Sequence, residues 1–222
     1  VRAARALYTA WFLVWLPAYA AHFGPQFLLW MCCVGNVLVL AGLWLGRPLL
    51  VSMAAVAVLV PQGLWCADLA ARLLGGAHLT GVTRYLFDAA SPLHVRALSL
   101  FHLWMPALLV WALRREGYRP AAGPCVLALA ALLFPLCYWG FDPRLQTNDA
   151  LFPLVDGAPF DRDFNLNWVH GFYDRPGPLP GAWNLARALA GYAVGALLPA
   201  HLALARLFPT AAASRRMAGH VL

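Results

Sequence analysis

Six stretches of this chain stay apolar for close to the ~20 residues a helix needs to cross ~30 Å of hydrocarbon. They fall at residues 7–21, 27–45, 49–74, 92–113, 123–141 and 183–208. Backbone groups in lipid must be paired within the segment, so runs of this kind are helices. Barrel strands would alternate in polarity over ~10 residues, and the sequence lacks that pattern. Composition agrees: 62% of the 222 residues are hydrophobic and 11% charged, against about 45–50% apolar and ~25% charged in soluble domains. Such an excess cannot be hidden in one small core. The low charge excludes a disordered chain, and five cysteines are too few for a disulfide scaffold. The reading is an all-α polytopic membrane bundle: six transmembrane helices in one integral membrane domain spanning residues 1–222. Its outer loops are 75–91 and 142–182, the second a long outward loop between the fifth and sixth helices.

Charge sets the expected orientation. All sixteen basic residues are arginine, and the formal charge is +7. The arginines are scattered over short connections and termini without a basic stripe, so nucleic acid is not a partner by this reading. With six spans the termini share a side with the links at 46–48 and 114–122. That side holds Arg2, Arg5, Arg47, Arg114, Arg115, Arg119, Arg206, Arg215 and Arg216 against one acid, Glu116. The other side and its helix ends hold seven arginines and all eight aspartates. Positive-inside bias then places both termini in the cytoplasm and the protein in a bacterial inner membrane. Arg2 and Arg5 ahead of a short apolar run ending near Ala18-Tyr19-Ala20 also spell a signal peptide. The bulk of Tyr8, Trp11 and Trp15 favours a retained helix instead.

Ionisable groups inside a span cost ~2.5–3.5 kcal/mol near its centre and persist where they face protein or water. At 1.5 Å per residue, Cys33 lies ~9 Å below the outer edge, with Asn36 one turn deeper. Asp68 has a similar depth on the third helix, and His102 lies ~15 Å down the fourth. Trp65 and Tyr138 fall in the same layer. Converging faces would line a polar pocket beneath the long loop, whose Asn165, Asn167 and His170, with His78 of the shorter loop, are candidate binding residues. Each also has a plainer reading. Asp68 and Arg72 are spaced to pair on one helix face, His102 could bond a carbonyl, Asn36 could glue helices, and the adjacent Cys32 and Cys33 could be small buried hydrophobes.

Several chemistries lack their residues. The sequence has no C-x-x-C pair, no H-E-x-x-H, no G-x-S-x-G elbow and no phosphate loop. His102 and His201 differ in depth by ~10 Å, unlike matched haem ligands. No metal and no cofactor is therefore expected.

Four segments carry a resemblance: His78-Leu79-Thr80-Gly81, Leu98-Ser99-Leu100-Phe101-His102, Asn165-Leu166-Asn167-Trp168-Val169-His170-Gly171 and Pro199-Ala200-His201. On these, residues 27–208 resemble an uncharacterised family of bacterial multi-spanning membrane proteins. More distantly the chain is similar to the YwaF-like and androgen-induced membrane proteins, which include intramembrane threonine hydrolases and a cysteine acyltransferase. That likeness lies in the helix count, in His102 followed by an apolar run and Arg114-Arg115, and in Asn167-Trp168. It implies a nucleophile early in a preceding helix, at Cys33 or Cys32; no threonine stands there.

Two functions follow as expectations. In the first, an intramembrane lipid-acyl hydrolase or acyltransferase, Cys33 is the nucleophile, His102 the base and Asp68 an orienting charge. Asn36 and Asn167 donate to the oxyanion, and membrane lipids supply the acyl chain. In the second, the chain is a non-catalytic subunit docked to other membrane protein subunits through aromatic helices and the small pair Gly191 and Gly195. The enzymatic reading requires the polar groups to meet; Asp68 and His102 turned apart, one toward solvent and one clasping its own backbone, would leave only an apolar bundle.

Overall fold

The computed structural model describes residues 2–89, 91–140, 166–169 and 181–209. Among them every regular element is helical. α1 is Arg2–Phe23 and, after a 3-10 turn at Pro25–Leu29, α2 is Met31–Leu45. α3 is Pro48–Gly75, and a second 3-10 turn, Arg84–Phe87, lies in the following loop. Then come α4 (Leu93–Leu98), α5 (Phe101–Glu116), α6 (Ala122–Gly140), α7 (Gly181–Tyr192), a π turn at Ala193–Leu197 and α8 (Leu198–Leu207). Four helical stretches are long and apolar enough to cross a membrane: Pro48–Gly75, Leu93–Glu116, Ala122–Gly140 and Ala182–Leu207. Met31–Leu45 is apolar but shorter.

The expected runs meet local chemistry at three places. The run at 27–45 does not begin as one helix: Gly24 takes φ 82° and Pro25 starts the 3-10 turn, so α2 starts only at Met31. Cys32 and Cys33 therefore sit in its first turn, nearer the end than expected. The run at 92–113 breaks at Ser99 and Leu100 before α5 resumes, which turns Ser99 and His102 toward one another. The run at 183–208 widens into the π turn ahead of Pro199, whose ring nitrogen has no N–H to give the ladder. The first helix is longer than the expected 7–21, and α3 runs on through Pro61.

α2 and α3 form a tight antiparallel pair. Gly46 closes α2 in the left-handed region at φ 59°, the Arg47 N–H reaches back to Gly42 O at 3.1 Å, and Pro48 opens α3. The two helices approach closely because Gly35 and Gly42 carry no side chain. A Cβ on Gly35 would stand 2.7 Å from Val58 Cγ1, and one on Gly42 2.8 Å from Val51 Cγ2.

α1 lays one aromatic face on this pair and on α5. Tyr8, Phe12, Trp15, Tyr19 and Phe23 recur at helical spacing and are all buried. Trp11 meets Trp104 edge-on at 4.9 Å, and Trp15 meets Phe101 at 6.0 Å. The opposite end of the bundle is tied by polar contacts. The Tyr118 N–H donates to Phe208 O at 2.7 Å, the Tyr118 hydroxyl pairs with His201 Nδ1 at 2.7 Å, and the Arg119 N–H donates to Ser52 Oγ at 3.0 Å.

Gly35→Ala should lower the unfolding midpoint in detergent, at a cost of roughly 1–3 kcal/mol for overpacking against a stiff valine. Gly191→Ala, whose added Cβ meets nothing within 4 Å, should leave the midpoint unchanged or slightly raised. Equal midpoints for both variants would contradict the close α2–α3 approach.

Candidate functional site

Helix ends and a loop converge on the imidazole of His102. The ring is sandwiched: Trp65 of α3 stacks on it at 4.7 Å and 14°, and Phe101 lies against it at 3.9 Å. His102 Nδ1 lies 2.8 Å from the Ser99 carbonyl oxygen. A carbonyl can only accept, so Nδ1 carries the proton and Nε2 is left as the acceptor. The plainer reading of His102 is therefore correct for one of its two nitrogens.

The Cys32 thiol lies within electrostatic range of this ring, and the Cys33 thiol interacts with that of Cys32. Both stand in the first turn of α2, Cys32 half-buried and Cys33 buried. Cys66 donates its thiol hydrogen to the His102 carbonyl at 3.3 Å, bracing the same turn from α3.

A chain of hydroxyls runs along the other side. Ser99 gives its hydrogen to the Val95 carbonyl at 3.1 Å, which leaves Ser99 Oγ as an acceptor. Tyr19 of α1 hydrogen-bonds to it, and Tyr85 of the 3-10 turn at Arg84–Phe87 lies within electrostatic range. The Tyr85 hydroxyl in turn accepts the Trp65 Nε1–H at 3.2 Å. Both thiols lie within electrostatic range of Tyr85. Burial pushes the Tyr85 hydroxyl up to about 12, so it keeps its proton at neutral pH.

Asp68 does not join this group. Its carboxylate is completely buried one turn above Trp65 and is committed to the loop at 78–83. Oδ1 accepts the Thr80 N–H at 2.6 Å, the Gly81 N–H at 2.8 Å and the Thr80 hydroxyl at 3.1 Å. Oδ2 accepts the Thr83 N–H at 3.1 Å, the Thr83 hydroxyl, and His78 Nδ1–H at 3.0 Å. The expected pairing of Asp68 with Arg72 also fails. Arg72 donates to the Gly76 carbonyl and lies 5.2 Å from the Phe87 ring. Gly81, in the left-handed region at φ 84°, lets the loop curl around the carboxylate. The pinned loop leads directly into Arg84–Phe87 and so sets the Tyr85 hydroxyl against the Trp65 indole.

The other expected site residues are placed as follows. Asn36 is buried between α1 and α2, where its carbonyl and Oδ1 both accept the Tyr8 hydroxyl, at 3.2 and 3.0 Å. This is the helix-gluing role. Asn167 stands in the left-handed region at φ 53°. Its Oδ1 accepts the Met31 N–H at 3.0 Å, and its Nδ2 donates to Leu29 O at 2.9 Å and Cys137 Sγ at 3.5 Å. It therefore caps α2 from a distant part of the chain, where Trp30 offers no side-chain cap. Trp168 packs edge-on to Trp30 at 6.0 Å. Tyr138 packs edge-on to Trp139 on α6 at 5.7 Å. Asn165 and His170 lie outside the described residues. Among the described residues, no cluster of three or more His, Cys, Asp or Glu is arranged to hold a metal ion.

Tyr19, Tyr85, Ser99 and Cys66 were not singled out from the sequence. Tyr85 sits in a loop whose fold depends on Asp68, and no local pattern announces that contact. Ser99 had a signal, being three residues before His102 in the quoted segment. No protein-family model, curated protein or solved structure matches this chain.

Two outcomes are expected. Asp68→Asn replaces one acceptor oxygen with a donor that faces N–H and O–H groups, so it should destabilise by roughly 3 kcal/mol. It should also open the outer loop to trypsin at the exposed Arg84; unchanged cleavage kinetics would contradict the anchor. The second concerns alkali. Tyr85 is favoured neutral in the folded protein, so its contribution is intact below pH 10 and is lost as the pH climbs through about 12. Base titration followed by tyrosinate absorbance should show a late-ionising tyrosine that Tyr85→Phe removes.

Proposed function

We propose that this protein is a membrane-embedded thiol enzyme acting on acyl esters of lipids, with Cys32 as nucleophile and His102 as its base. The observation that carries the reading is the tautomer of His102. Its Nδ1–H is held by the Ser99 carbonyl, and its remaining nitrogen is the acceptor available to a facing thiol. The backbone carbonyl takes the orienting part that a carboxylate plays in many triads, so Asp68 is not needed beside the ring.

The reaction is acyl transfer through a thioester. Nε2 takes the Cys32 proton, and the sulfur attacks the ester carbonyl carbon. The C–S bond forms while the carbonyl π pair moves onto oxygen. Collapse breaks the C–O bond, and the departing alkoxide takes the proton back from His102. Water or an acceptor alcohol or amine then attacks the thioester, releasing the acyl group and restoring the thiol. Trp65 and Phe101 shield the imidazole and exclude bulk water from it.

The membrane setting belongs to the same proposal. Beside the four clear spans, α1 has 22 residues, a rise of ~33 Å. α2 with its preceding 3-10 turn extends the count to six. The arginine distribution then puts both termini in the cytoplasm of a bacterial inner membrane and the Cys32 turn toward the outer leaflet, from which a lipid chain would enter laterally.

A thiol-directed lipid probe applied to the purified protein tests this. Wild type should label, Cys33→Ala should label equally, and Cys32→Ala should not label. His102→Ala should slow labelling by ~10²-fold or more, the usual worth of a positioned base. Equal labelling of all four, read by intact mass, would remove the nucleophile assignment and favour a non-catalytic subunit.

A further inference from the structure

The four membrane-length helices each bring one end to the same end of the bundle: Pro48 of α3, Glu116 of α5, Ala122 of α6 and Leu207 of α8. Two contacts hold those ends level. The Arg119 N–H donates to Ser52 Oγ at 3.0 Å, and the Tyr118 N–H donates to Phe208 O at 2.7 Å. Every one of the four ends carries an arginine within three residues: Arg47, Arg114 with Arg115, Arg119 and Arg206. All of these are exposed, and none pairs with a carboxylate among the described residues. The one acid beside them, among the described residues, is Glu116. Just inside this cationic collar the surface is apolar and open. Trp44 is 55% exposed, its indole N–H fixed on Thr9 Oγ1 at 2.8 Å, and Leu45 and Leu207 are exposed as well. Trp111 lies one turn in from Arg115, whose guanidinium stands 5.3 Å from its ring. Indoles gather at the boundary between hydrocarbon and headgroups.

We infer that this end of the bundle binds anionic phospholipids, with the arginines on the headgroup phosphate and the acyl chains along Trp44, Leu45 and Leu207. The inference needs the membrane spans but not the thiol enzyme. A guanidinium presents paired N–H groups that match two oxygens of a phosphodiester, and it stays charged at any working pH. With several such groups and a single carboxylate, the collar favours a partner of net negative charge. The apolar band beside it decides which anion. A nucleic acid or a free phosphate would meet the arginines and leave the exposed indole and leucines in water, whereas a lipid covers both. A zwitterionic lipid brings its own ammonium to the same arginines and gains less from them.

The test uses the full chain in an uncharged detergent, titrated with dioleoyl phosphatidylglycerol, dioleoyl phosphatidylcholine or inorganic phosphate. Retained lipid is read by native mass spectrometry, and the unfolding midpoint is followed in parallel. Phosphatidylglycerol should be held roughly tenfold more tightly than phosphatidylcholine at low salt, and the advantage should shrink in molar salt, which screens exposed charges. Arg47→Gln, Arg119→Gln and Arg206→Gln should each lower phosphatidylglycerol retention by roughly fivefold, and the triple variant should erase the preference while phosphatidylcholine retention stays as it was. Arg84→Gln removes an equal charge from the exposed loop at the other end of α3 and should leave the preference intact. If the triple variant does not fold, the three single variants decide the matter. Equal retention of the two lipids would overturn the inference, as would an equal loss in Arg84→Gln and the collar variants. Inorganic phosphate raising the midpoint as far as phosphatidylglycerol does would also overturn it, marking a site for a free anion. A short DNA duplex bound in preference to the lipid would overturn it in favour of a nucleic-acid surface.

Discussion

A single buried carboxylate organises one end of this bundle. Asp68 has no solvent and no counter-charge on its own helix; its partners are the donors of one short loop. Burying an ion is tolerable only when its lone pairs are filled. The loop at 78–83 fills them with backbone amides, two threonine hydroxyls and His78. The constraint runs both ways. The carboxylate could not be where it is without the loop, and the loop would have no reason to curl inward without the carboxylate. From that mutual need follows the place of Tyr85 against Trp65.

The second organising feature is the use of interrupted helices. α2 starts late, the span from Leu93 to Glu116 pauses at Ser99, and the last span widens at Ala193–Leu197. Each interruption frees backbone groups that a continuous helix would have used internally. At Ser99 the carbonyl takes both the backbone N–H and the imidazole Nδ1–H of His102, and at Met31 the freed amide goes to Asn167. The polar cluster is built at the places where the helical ladder yields.

Much of the fold was legible in the sequence, because a helix in an apolar setting is announced by length and hydropathy alone. The long apolar runs at 49–74, 92–113, 123–141 and 183–208 each correspond to a membrane-length helix. Their interruptions were less legible, since Gly24-Pro25 and Pro199 signal a break without saying which type. Depth, a one-dimensional quantity that the helix rise supplies, put His102 and Trp65 in one layer, and their rings do stack. The direction of a side chain around its helix is a second coordinate that depth does not give. The choice between Cys33 and Cys32 needs it. Asp68 was misjudged for a related reason: its partners lie 10 to 15 residues downstream in a loop, and only the folded turn brings them back. Tyr85 was invisible because it depends on that same turn.

The cap on α2 also bears on how the protein comes to exist. The Met31 amide is satisfied by a side chain 136 residues further along the chain. A ribosome therefore delivers Cys32 and then His102 well before it delivers Asn167. During that interval the first turn of α2 has an open end and an unanswered amide. The late arrival of Asn167 makes completion of the α2 cap a closing event of biogenesis.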